Sequence, residues 1–162
     1  MHPNSSALLW VLLSFAIAMA LRIISLPPLL ASFNPDWVLL AVLYWSLVQP
    51  DRFGVASAWV MGLLTDSLTG RLLGQHAFVY AIVAYFCVRF YLRLRVFPIT
   101  QQLAFVFLCL LLSRFLLFWF EALHSHPPLS WQYWLPALTG VLGWPIILAI
   151  ANWRRQSAWS FK

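Results

Sequence analysis

The sequence predicts an all-α integral membrane protein, a six transmembrane helix bundle with both termini cytoplasmic, and three observations predict it. Of 162 residues, 63% are hydrophobic and only 9% charged, a balance foreign to a water-soluble domain of this size. The apolar residues fall into runs separated by short turns rich in Pro, Asp and Arg. The basic residues collect on one side of the topology those runs imply. Arg52, Arg89, Arg93, Arg95, Arg154, Arg155 and Lys162 share that side, against Arg22 and Arg71 on the other. By the positive-inside bias, the first group lies in the cytoplasm. Topology thus accounts for the net charge of +6 better than nucleic acid does. Residues 1–162 read as a single multi-pass membrane domain.

The first span, about 7–26, stops at Pro27 and Pro28. It has no basic start and no small-x-small cleavage site, so it is expected to be a retained helix and not a signal peptide. Phe33-Asn34-Pro35-Asp36-Trp37 makes a helix start, with Asp36 as N-cap and Trp37 at interface depth. The second span, about 37–49, is short for a bilayer. Pro50-Asp51-Arg52 turns the chain into the third span, about 53–70, with room to continue to Gly74. A fourth, about 77–92, leads into Arg93, Arg95 and Pro98. The fifth, about 99–123, contains Arg114 and closes at Glu121. The sixth, about 134–153, is expected to kink at Pro145. Cys87 and Cys109 lie in apolar runs and read as small buried hydrophobes, with no disulfide or metal site expected.

The third span carries the residues of greatest interest. Every fourth residue is small or acidic: Gly54, Ala58, Gly62, Asp66, Gly70 and Gly74. On a helix this makes a ridge without bulk, against which another helix can pack closely. Such ladders pack helices of one chain or receive a helix from another protein, and the residues leave both open. Asp66 is an ionisable group at membrane depth, where a partner or a cavity is expected. Counted from the cytoplasmic ends, Arg22 and Arg114 lie at a similar depth. A structural ion pair is the favoured reading over a proton or substrate site. Arg114 is the expected partner, with Arg22, close to Pro27, snorkelling to the interface. Asp36 reads as a cap. Glu121, His124 and His126 have the residue types of a metal or acid/base site, but a loop with two prolines is a poor frame for ligands. His76 carries no specific signal. No phosphate loop, nucleophile elbow or zinc motif is present, so neither catalysis nor a cofactor is expected.

Two segments carry a family resemblance. Phe33 to Leu40, continuing to Tyr44-Trp45, and Met61-Gly62-Leu63-Leu64-Thr65-Asp66 with Gly70 and Gly74 resemble the bacterial rod shape-determining protein MreD family, as do the length and the late pair Trp144-Pro145. The resemblance implies a non-enzymatic subunit of the cell-elongation machinery in the inner membrane, where lateral-wall peptidoglycan is made. It implies MreC as direct partner, with MreB, RodZ, RodA and a class B penicillin-binding transpeptidase in the same complex. It also implies a fold resembling the substrate-binding subunits of energy-coupling-factor transporters. Carried over by position, the functional residues are Asp36, Trp37, Gly62, Asp66, Gly70 and Gly74. Together these readings place the single transmembrane helix of MreC in a groove along Gly62, Gly70 and Gly74, with Asp66 held through Arg114. Two alternatives are a small-ligand-binding, transporter-type subunit and a membrane enzyme built on Glu121, His124 and His126.

Overall fold

The computed structural model describes residues 3–24, 27, 32–70, 72–124 and 130–159. Pro28, Arg71, His126 and Lys162 lie outside them, as do the side chains of His124, Arg154 and Arg155. The described residues form α1 (Pro3–Ile23), α2 (Trp37–Val48), α3 (Val55–Thr69), α4 (Gln75–Val96), α5 (Ile99–His124), a 3-10 turn (Trp131–Trp134) and α6 (Leu135–Trp159). Three segments, Gln75–Val96, Ile99–Leu123 and Trp131–Ile150, are long and apolar enough to cross a membrane. Their large apolar side chains also point outward, among them Leu92, Leu108, Leu138 and Leu142.

The short helix α2 is the hub. It packs against α1, α3, α4 and α6, and Val38, Leu39, Leu40, Val42 and Leu43 are fully buried. A helix buried on most sides shows almost no amphipathic stripe, which is why this run reads as uniformly apolar. Its 12 residues amount to about 18 Å at 1.5 Å each. Side chains hold both ends. At the start, Asp36 accepts a hydrogen bond from Leu39 N at 3.2 Å, and Trp37 Nε1 donates to Asn34 Oδ1 at 2.9 Å. At the finish, Arg95 of α4 donates through Nε to Leu47 O at 3.2 Å and through Nη2 to Val48 O at 2.6 Å. These satisfy backbone groups that a helix end leaves orphaned. The cap expected of Asp36 is therefore formed, and the brevity of α2 reflects its central position.

The small-residue ladder is not one helix. α3 ends at Thr69, and Gly70 follows in the left-handed conformation with φ 62°, its N–H donating to Asp66 O. The chain then turns through Leu72 and Leu73 to Gly74, at φ 106°. The expectation of a helix continuing to Gly74 is corrected by these two angles, which only glycine adopts at little cost. Gly70→Ala meets open space, so its penalty is conformational alone, about 1–2 kcal/mol. Unfolding of the purified variant in detergent should show that modest loss with the helical content unchanged.

Candidate functional site

At one end of the bundle, five polar side chains from four helix ends form one buried network. Asp66, near the end of α3, is fully buried. Its Oδ2 accepts from Gly74 N at 2.9 Å, His76 N at 3.1 Å and Ala77 N at 3.4 Å. Its Oδ1 lies 3.1 Å from His76 N and 2.7 Å from His76 Nδ1. The N-cap of α4 is Gly74, which has no side chain to offer. Asp66 supplies the missing cap from the preceding helix, placing a carboxylate on the positive end of the α4 dipole.

Gly62, one turn earlier, makes that approach feasible. A Cβ there would lie 2.7 Å from His76 C and closer still to Ala77 N and Cα. Glycine lets the start of α4 touch the α3 backbone, and four residues on, the carboxylate binds the amides so presented. α3 and α4 accordingly form the most extensive helix pair of the bundle.

From His76 the network continues to α1 and α2. His76 Nε2 is 2.8 Å from Arg22 Nη2, and Arg22 Nη1 is 2.7 Å from Asp36 Oδ1. Tyr80, one turn beyond His76, donates its hydroxyl proton to the Asp36 carboxylate at 2.9 Å. The Tyr80 ring meets the His76 ring edge-on at 5.7 Å. Arginine has donors only, so Nε2 must accept from Arg22, and the ring proton sits on Nδ1, facing Asp66. His76 is therefore neutral in this arrangement. Two carboxylates face one guanidinium, and the amides of the α4 N-terminus supply the balancing positive potential.

The expected pairing of Asp66 with Arg114 is corrected. Arg114 stacks over Tyr133 at 5.6 Å, because α5 packs on α4 and α6 while α3 packs on α4. Arg22 does not snorkel away but is the cation of the network. His76, which carries no specific signal in the sequence, links Asp66 to Arg22, and Asp36 is both cap and counter-ion. The open groove expected along Gly62, Gly70 and Gly74 is also corrected. Gly62 is filled by α4, while Gly70 is exposed and Gly74 half-exposed beyond the helix end. Trp37 lies half-buried at the start of α2, where its outer ring edge approaches Gly143 of α6. Of the loop trio, His126 and the side chain of His124 lie outside the described residues.

These features define a class: an all-helical protein with helices able to cross a membrane, whose buried charges serve to join helix ends. Comparison with known proteins narrows it. The family model "rod shape-determining protein MreD" matches residues 4–153, and the chain belongs to that family. It is 32% identical over 148 residues to the rod shape-determining protein MreD of Haemophilus influenzae, covering 90% of this chain and 91% of that one. No solved structure matches the chain. Family membership supports a role in determining rod shape.

Proposed function

We propose that the chain is a non-enzymatic, multi-pass subunit of the cell-elongation complex in the bacterial inner membrane, binding MreC and helping to control lateral peptidoglycan synthesis. The observation that carries this reading is the family match across residues 4–153. MreB, RodZ, RodA and a class B penicillin-binding transpeptidase are the wider partners that the reading brings with it. The geometry supports a scaffold over a carrier. The polar groups around Asp66 are consumed by bonds to one another and to the α4 amides, which leaves little to bind a solute there.

The internal position of Gly62 moves the proposed MreC contact outward. The side of α3 turned away from the bundle exposes Trp59, Val60, Leu64 and Leu68, and the glycines of the α3–α4 turn lie at its end. We place the MreC transmembrane helix along that side, reaching Gly70 and Gly74, with Asp66 fixing the turn from within. In lipid such an interface depends on close packing. Photocrosslinkers at Trp59 and Leu64, with Leu142 as an exposed control, test it in cells. MreC adducts at the first two positions and not at the control are expected. Adducts at Leu142 alone would move the interface to another face.

A further inference from the structure

Arg22 does more than balance charge, because it docks the end of α1. The body of that helix is held by packing. Phe15 is buried and stacks on Phe53 at 5.1 Å, and Ser14 Oγ accepts from Trp45 Nε1 at 2.8 Å. The last turn is held differently. Leu21, Ile23 and Ile24 are exposed, and Arg22 is the side chain that turns inward, toward Asp36, His76 and, at 3.5 Å, the Tyr80 hydroxyl. Elsewhere α1 packs on α2 and lightly on α3, so the contact of this turn with α4 runs through Arg22.

That contact depends on one lone pair. Arg22 Nη2 donates to His76 Nε2 at 2.8 Å, and a guanidinium can only donate. A proton on Nε2 would occupy the same lone pair and set an imidazolium against a guanidinium. Proton and arginine therefore exclude each other. The rest of the site welcomes the proton. His76 Nδ1 faces the Asp66 carboxylate at 2.7 Å, a hydrogen bond that charge on the ring strengthens. With His76 neutral, the two carboxylates outnumber the one guanidinium. Among the described residues, the charged and titratable groups facing His76 are Arg22 of α1, Asp36 at the start of α2, Asp66 of α3 and Tyr80 of α4. Arg114 of α5 is stacked on Tyr133 and acts on the cluster at longer range, through Asp36. Of the five network side chains, Arg22 is the most open to the surface, at 20% exposed against 1% for His76.

We propose that His76 and Arg22 form an acid-sensitive latch on the end of α1. When Nε2 takes up a proton from the aqueous phase at this end of the bundle, an N–H bond forms and the hydrogen bond from Arg22 is lost. Arg22 keeps Asp36 as its partner, so the last turn of α1 pivots there and parts from α4. The docked form holds Nε2 without a proton and the released form binds one, so acid favours release and neutral pH favours docking. By the positive-inside bias this end faces outward, and the latch reads external acidity.

Dipolar electron paramagnetic resonance on the full-length protein in lipid nanodiscs tests this, with noncanonical spin-labelled residues at Ile24 and Tyr85, both exposed. Between about pH 8 and about pH 5, where imidazole gains its charge, the ratio of released to docked chains should rise at least about tenfold, reversibly. Unchanged distances would overturn the latch. His76→Gln keeps a donor for Asp66 and an acceptor for Arg22 but takes up no proton in this range, so it should stay docked at about pH 5. Arg22→Met has no donor and should be released at both pH values. A pH response surviving in either variant would overturn the assignment to this pair. Nitrogen NMR of the native protein needs no folded variant of the latch beyond assigning the signal: His76 Nε2 should become protonated over the same interval as the distance change. A ring still neutral at about pH 5 would overturn the proposal.

Discussion

Asp66→Ala is expected to lower the unfolding free energy of the purified protein by about 3–5 kcal/mol, the cost of breaking a buried ion network by removing one member. The size follows from what is orphaned. Gly74 N, His76 N and Ala77 N lose their acceptor together, and His76 Nδ1 loses its partner at 2.7 Å. No side chain on Gly74 can take over the cap. Arg22 stays bound to Asp36, so the damage should be confined to the α3–α4 hairpin. Asp66→Asn keeps the shape and one acceptor oxygen but turns two donors toward a cluster of donors, so about 2 kcal/mol or more should still be lost. Reversible unfolding in mixed micelles, followed by circular dichroism, measures both variants. A loss below about 1 kcal/mol for the alanine variant would mean that the α4 amides find other partners, and the network would lose its structural role.

Much of this was legible in the residues, and the misreadings have specific causes. The starts of α2, α5 and α6 lie within a residue of where hydropathy puts them, because an apolar run that must satisfy its own backbone has few alternatives. Asn34-Pro35-Asp36-Trp37 marked the start of α2 because capping is local chemistry. A continuation of α3 to Gly74 fails for the opposite reason. Glycines that end a helix at positive φ and glycines that thin its face look alike, and Gly70 and Gly74 continued the four-residue spacing of Ala58, Gly62 and Asp66. The expected Asp66–Arg114 pairing fails because depth along a span says nothing about which faces meet. Connectivity was the better guide. Consecutive spans share an end, which puts Arg22 of α1 beside Asp36 of α2 and Asp66 of α3 beside His76 of α4. A fourth span beginning at about 77 leaves His76 outside the helix, whereas α4 begins at Gln75. On a helix its ring and the Tyr80 ring share a face.

The same contact between helices sets the second large effect. Gly62→Ala should destabilise the protein by several kcal/mol although it adds a single methyl group, because the added carbon falls on backbone. It would sit 2.7 Å from His76 C, with Ala77 N and Cα nearer still, and neither can rotate away as a side chain could. Relief requires α3 and α4 to separate, which lengthens every bond from Asp66 to the start of α4. The expected loss exceeds the usual 1–3 kcal/mol of an overpacked core and adds part of the network's own stability. Gly140→Ala is the internal control. Its added carbon meets the Leu110 side chain, with Cδ1 at 2.8 Å, a flexible end that can give way. Its cost should therefore stay near 1 kcal/mol, at the low end of the same range. If the two variants unfold with the same loss, the close α3–α4 approach is not what presents the amides to Asp66. If Gly62→Ala alone collapses, and Asp66→Ala in that background adds less than it does in the native chain, the glycine and the carboxylate act as one device. Non-additivity of this kind is the signature of two residues sharing a contact, and here the shared contact is the first turn of α4.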